Sequence, residues 1–201
     1  MNSKKEITKK EEELLLLKAI QADEDGAFDK LILRYQDMVF NICYQIMRDY
    51  DEARDCAQDT FIKIFKSIKK FRGESQFSTW IYRIAVNTCK NSLSSLSGRI
   101  KKKSLSIDNP FKNEEEKTLE LKDSSASPEE LFLQQEDEKL VLNSIHSLPT
   151  NKRILIILRD LEGKSYDEIA EITGLKLGTI KSKLARSREL LKARLKEALQ
   201  S

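Results

Sequence analysis

Two stretches of this sequence set cations beside groups that a nucleic acid could use. The first runs Lys69-Lys70-Phe71-Arg72-Gly73-Glu74-Ser75-Gln76 and is followed by Phe77 and Trp80. Aromatic faces beside Lys and Arg can stack unpaired bases and hold their phosphates, and Gly73 lets the backbone turn closely. Trp80 suits a core position, whereas Phe71 stands isolated among polar residues and is the better stacking candidate. The second stretch, Tyr166 to Ala185, carries Ala170, Gly174 and Ile180 at the spacing of a helix-turn-helix. Ala170 allows a close helix crossing, Gly174 supplies a positive-φ exit, and Ile180 plugs the second helix into a core. Groupings that could carry catalysis are missing. Cys43, Cys56 and Cys89 are widely spaced, His146 is the single histidine, and no GxxxxGK[ST] loop occurs. Zinc ligation, a Ser-His-Asp triad and nucleotide hydrolysis therefore lack their ingredients.

The elements that would position these residues are helices. Steps of three and four through Phe28, Leu31, Ile32, Tyr35, Val39, Ile42, Cys43 and Ile46 predict a long amphipathic helix over 27–47. A shorter one over about 11–22 precedes it, across the turn Asp23-Glu24-Asp25-Gly26. Asp51 is the expected N-cap of a third helix, 52–68, with Ala53, Ala57, Phe61, Ile64 and Ile68 inward. Its opposite face gathers Glu52, Asp55, Asp59 and Ile62, with Gln58 at the edge. That face fits either a solvated surface or a docking surface, since Ile62 sets an apolar side chain among carboxylates. A fourth helix, about 78–93, carries Phe77, Trp80, Ile81, Ile84, Ala85 and Thr88 on one side and Arg83, Val86, Asn87 and Lys90 on another. Later, Ser127, Pro128 and Glu130 form a capping box for a helix reaching Ser147. The next spans 149–161, with Ile154, Ile157, Leu158 and Leu161 inward and Gly163 as its stop. Ser165 and Glu168 cap the first helix of the helix-turn-helix. From Gly178 onward the last helix buries Ile180, Leu184, Leu191 and Leu195 and turns Thr179, Ser182, Lys183 and Arg186 toward a major groove. Lys181 and Arg188 lie on a flank suited to phosphates.

Charge divides the chain in the same way. The net charge of +3 over 201 residues hides +5 in residues 1–103, −7 in 104–140 and +5 in 141–201. Residues 172–201 hold eight Lys/Arg against two Glu, more than a merely solvated helix needs. Residues 92–127 lose periodicity and are Ser-rich, then basic, then acidic, which is linker composition. About 30 such residues could stretch to roughly 100 Å. The domains expected are thus 11–93, a flexible linker 94–126, and 127–199. The fold class is all-α. No apolar run approaches the ~20 residues of a membrane span, and Leu14 to Leu17 is too short for a secretory signal. Three dispersed cysteines suit reduced, buried small hydrophobes in a cytoplasmic protein.

Three ordered segments resemble bacterial RNA polymerase sigma factors of the extracytoplasmic-function class, the sigma-E-like type. Residues 55–68 resemble that family's core-polymerase-binding segment, and 71–88 its promoter-melting and minus-ten segment. Ser147-Leu148-Pro149, Ser165 to Ala170 and Gly178 to Leu184 resemble its minus-thirty-five module. The resemblance implies sigma-two and sigma-four helical domains, no catalytic activity, no metal and no cofactor. The implied partners are core RNA polymerase (clamp helices and flap), promoter DNA and an anti-sigma factor. Asp55, Gln58, Asp59, Phe61 and Ile62 would dock the polymerase. Phe71, Arg72, Gly73, Ser75, Thr79, Arg83, Asn87 and Lys90 would take minus-ten DNA. Thr179, Lys181, Ser182, Lys183, Arg186 and Arg188 would take minus-thirty-five DNA. Lys176 and Leu177 stand where relatives often carry Pro or Ser. A stand-alone helix-turn-helix regulator explains 141–201 but leaves the acidic face and the aromatic basic loop without a role.

Overall fold

The computed structural model of the protein describes residues 2–103 and 139–200, with side chains over 11–95 and 139–200. Every regular element among the described residues is helical, as the all-α pattern predicts. The expected capping box at Ser127 and residues 104–126 of the expected linker 94–126 lie outside them, while 94–103 continue the helix that begins at Phe77 instead of forming linker. The first module holds α1 (Asn2–Gln21), α2 (Ala27–Met47), α3 (Tyr50–Ser67) and α4 (Phe77–Lys103), with a 3-10 turn at Ile68–Lys70. The second holds α5 (residues 139–146), α6 (Thr150–Ile156), α7 (Tyr166–Thr173) and α8 (Leu177–Ala198).

Helix α2 has the predicted bounds and buries Leu31, Tyr35, Val39, Ile42, Cys43 and Ile46 along one stripe. Helix α1 begins well before residue 11. Its added turns are rich in Lys and Glu, good helix formers that lack the apolar rhythm by which a helix is recognised. The N-cap of α3 is Asp49 rather than Asp51: Glu52 N–H donates to Asp49 Oδ1 at 2.8 Å. Asp51 sits in the first turn and pairs with Arg54 at 3.1 Å. Helix α4 runs ten residues past the expected 93.

Helix α6 passes into a π turn over Ile157–Leu161, where Glu162 N–H reaches back to Ile157 O at 2.9 Å. The wider turn changes the facing of its last residues. Ile154, Ile157 and Leu158 are buried as predicted, but Leu161 is exposed, against the inward placement its spacing suggested. Gly163, at φ +64°, ends the element.

The buried side chains of both modules form one continuous apolar body. Polar ties cross between them. Arg153 Nη1 donates to Ile46 O at 2.8 Å, while its Nη2 donates to His146 O at 2.7 Å. Arg48 Nη2 donates to Asn143 Oδ1 at 2.5 Å. His146 is held beside these two guanidinium groups with its Nδ1 buried and unpaired. Burial first, then the Arg153 and Arg48 charges, lower its pKa from 6.5 to about 4.

The unfolded chain therefore protonates His146 before the folded one does, so stability is full above pH 7 and falls as pH drops toward the folded value. Between pH 7.5 and 5 this one group should remove about 2 kcal/mol. Denaturant midpoints at the two pH values should show that loss in the parent and a clearly smaller one in His146→Gln. Equal losses in the two proteins would place the acid sensitivity elsewhere.

Candidate polymerase and promoter interfaces

The exposed side of α3 combines carboxylates with apolar surface. Asp55, Gln58 and Asp59 are exposed, and Ile62 keeps 44% of its surface open. Phe61 is half-buried. Phe65, which spacing arguments had left out, is 63% exposed and meets Phe28 edge-on at 4.9 Å. Its sequence signal was an apolar residue outside the inward stripe, three positions after Ile62. The inward stripe itself holds Ala53, Cys56, Ala57, Thr60 and Ile64 against α2 and α4.

A second site forms where the 71–76 loop meets α4. The 3-10 turn presents Phe71, whose N–H donates to Ile68 O at 3.0 Å, and Gly73 turns the loop at φ +73°. A cavity of about 530 Å³ opens there, lined by Lys70, Phe71, Arg72, Glu74, Ser75, Thr79, Trp80, Arg83 and Glu171. Phe71 is not the isolated ring that its polar neighbours suggested. It packs at 5.1 Å on Phe77 and 5.2 Å on Trp80, which fixes its place in the cavity wall. Phe77 and Trp80 are buried core residues, as expected for Trp80. Thr79 is 2% exposed and its Oγ1 has no hydrogen-bond partner. The cavity therefore joins two aromatic rings, three cations and two carboxylates, Glu74 and Glu171, while the Thr79 hydroxyl lies buried behind its wall.

Asn87 is exposed one turn beyond Arg83, outside this cavity. Lys90 lines a smaller one of about 210 Å³ with Val86, Ile154, Leu155 and Lys183. Val86 is 1% exposed, covered by the second module. Its helical face had placed it with Arg83 and Asn87, but apolar burial between modules claims it instead.

The helix-turn-helix is built as its spacing predicts. Glu168 N–H donates to Ser165 Oγ at 3.2 Å while Ser165 N–H donates to Glu168 Oε2 at 2.8 Å, so both halves of the capping box form. Gly174 adopts φ +70°, and its N–H closes α7 on Ala170 O at 2.8 Å. Ile180, Leu184 and Ser187 are buried, Leu191 and Leu195 only partly. Ser182, Lys183 and Arg186 are exposed on α8, and Thr179 is half-buried. Lys181 lies 5.9 Å from the Tyr166 ring centre. Arg188 is held by Asp160, with Nε donating to Oδ2 at 3.2 Å and Nη2 to Oδ1. The three cysteines are free and buried.

A family model described as Sigma-70 region 2 matches residues 31–99, and one described as Sigma-70, region 4 matches 138–191. The chain is 35% identical over 189 residues to the RNA polymerase sigma-H factor of Pseudomonas aeruginosa, across 94% of this chain and 96% of that one. It is 38% identical to the ECF RNA polymerase sigma-E factor of Haemophilus influenzae, across 90% and 93%. The chain belongs to the RNA polymerase sigma factors, in their extracytoplasmic-function class.

Solved structures share its fold. RpoE, crystallised with the anti-sigma factor NepR from Bartonella quintana, superposes with TM-score 0.64 at 22% identity, over 85% of this chain and 98% of that one. CnrH, in complex with the cytosolic domain of CnrY, gives TM-score 0.61 at 19% identity, over 91% and 96%. As a sigma factor the chain is a transcription initiation factor that binds DNA. No described helix is long and apolar enough to cross a membrane.

The unpaired Thr79 hydroxyl sets a stability prediction for this sigma factor. A buried hydroxyl without a partner is unfavourable, and valine keeps its shape, so Thr79→Val should hold or raise stability, by up to about 1 kcal/mol. Chemical denaturation decides it. A loss above about 2 kcal/mol would mean that the hydroxyl has a partner in solution.

Proposed function

We propose that this sigma factor docks core RNA polymerase through Asp55, Gln58, Asp59, Phe61 and Ile62, captures minus-ten DNA at the 71–76 loop and α4, and reads the minus-thirty-five duplex with α8. The observation that carries this reading is the cavity at Phe71 on the same module as an acidic, partly apolar face, with a helix-turn-helix module beside it. A stand-alone regulator needs neither of the first two. Carboxylates flanking Ile62 suit a partner helix with Arg and apolar residues, as expected of the polymerase clamp helices. The second module would engage the flap. Phe65 extends that apolar surface and belongs to the same contact.

Opening the duplex requires no chemical step in this account, so the protein acts as an initiation factor rather than an enzyme. Captured bases offset the lost pairing and stacking. Stacking on one aromatic contributes about 1–3 kcal/mol per base, and Lys70, Arg72 and Arg83 supply cations for the strand's phosphates. Ser75 and Asn87 can exchange hydrogen bonds with base edges, whereas Thr79, with its hydroxyl buried, can contribute only to the packing of the wall. On α8, Lys183 and Arg186 with Thr179 and Ser182 face the groove, and Lys181 meets phosphate. Arg188 can contribute to phosphate binding only from its place beside Asp160. Control by an anti-sigma factor accords with the superposing structure of a sigma factor solved with the anti-sigma factor NepR. Action in the cytoplasm follows from contact with the polymerase.

Asp55→Arg combined with Asp59→Arg places two like charges against a basic partner. The double variant should lose core binding by at least about tenfold while keeping its helical circular dichroism. Competition against the labelled parent for purified core measures it. Unchanged affinity would remove α3 from the docking surface.

A further inference from the structure

The cavity at Phe71 has one wall that the first module does not supply. Glu171 comes from α7, the first helix of the helix-turn-helix, and joins a lining in which the first module supplies Lys70, Arg72 and Arg83, a single carboxylate, Glu74, and the Phe71 and Trp80 rings. It stands there because the second module is docked on α4. Tyr82 Oη donates to Glu162 Oε2 at 2.5 Å, and Lys164 Nζ lies 4.1 Å from the centre of the Tyr82 ring. Val86 is buried against the same module, and Arg153 reaches across to Ile46 O. Tyr82 and Val86, four residues apart, thus form a stripe of α4 devoted to this docking.

Given the strand-capture role proposed for this cavity, we propose that Glu171 is its internal occupant, an anionic group from the second module that competes with the phosphates of the minus-ten strand for the same cations. In the docked arrangement the carboxylate offsets part of the positive field that would draw a single strand in. The docked arrangement also cannot persist on a promoter with both modules engaged. Minus-ten and minus-thirty-five elements lie about 25 base pairs apart, roughly 85 Å of duplex at 3.4 Å per step. Spreading the modules over that distance withdraws Glu171, so Lys70, Arg72 and Arg83 are left with Glu74 as the one carboxylate of the lining when the second module leaves for its own element. Masking and release are then one movement, and the free chain is kept from binding single strands nonspecifically.

The test uses the full chain and a fluorescein-labelled pool of random-sequence, 12-nucleotide single-stranded DNA (about the length one such groove covers), read by anisotropy at one fixed salt concentration. Glu171→Gln should tighten binding by about three- to fivefold, the range of one exposed charge pair. Asp167→Asn, the same charge change on the same helix but off the cavity, should change binding by less than about 1.5-fold. Arg83→Ala should weaken the parent and shrink the gain from Glu171→Gln. If Glu171→Gln behaves like Asp167→Asn while Arg83→Ala still weakens binding, the cavity stands and the masking role is overturned. If Arg83→Ala changes nothing in either background, the strand-capture reading of the cavity falls, and the masking role with it.

Discussion

Helix α4 has to satisfy three partners on one cylinder, and the rest of the protein is arranged around that constraint. At about 100° per residue, Phe77, Ile81, Ala85 and Thr88 point to one side and are buried against α2 and α3. Tyr82 and Val86 lie next around the helix and are buried by the second module. Arg83, Asn87 and Lys90 occupy what remains, with Arg83 and Asn87 exposed. A residue shifted by one place would exchange one partner for another. The inner side is held most tightly, since Cys43, Cys56 and Cys89 from three helices meet there in apolar surroundings. Neighbouring thiols and burial push the Cys89 pKa up, which keeps it protonated and suits a packing role.

The two other surfaces of α4 are of a different kind. Docking of the second module combines polar ties, Tyr82 to Glu162, Arg153 to Ile46 O and Arg48 to Asn143, with apolar burial continuous with the first module's core. Each tie involves a charged group, and hydrogen bonds of that sort contribute about 1.5–3 kcal/mol net. The cavity beside α4 is preformed: Phe71 and Trp80 line it, and both pack on the buried Phe77 ring behind them. Rings held in this way lose little side-chain entropy on meeting a ligand, which suits the strand capture proposed for this cavity.

Much of this was legible in the sequence because it is local. The periodicity of α2, the Ser165–Glu168 capping box and the Gly174 exit depend on residues within a few positions, and each formed as its spacing predicts. What was missed depends on distant partners or on backbone detail. Asp49 and Asp51 are equally good caps by type, and only the chain direction after Arg48, at φ +69°, selects the first. The π turn that exposes Leu161 has no side-chain signature. Phe71 looked isolated because Phe77 and Trp80 reach it through the loop's turn at Gly73, and Val86 looked available because the module that covers it is more than 50 residues away in sequence. Pattern reading placed Arg83, Val86, Asn87 and Lys90 on one face of α4 but not the claim of the second module on Val86.

A chain built from these two modules should program core RNA polymerase for two separated promoter elements. The decisive measurement is transcription by purified core plus this chain from a library with a randomised upstream region, followed by sequencing of the transcribed templates. Two enriched sequence blocks are expected at a constant spacing, one around minus ten and one around minus thirty-five, with no transcripts above background from core alone. Enrichment of a single duplex block, or no gain in transcription on adding the chain, would contradict it.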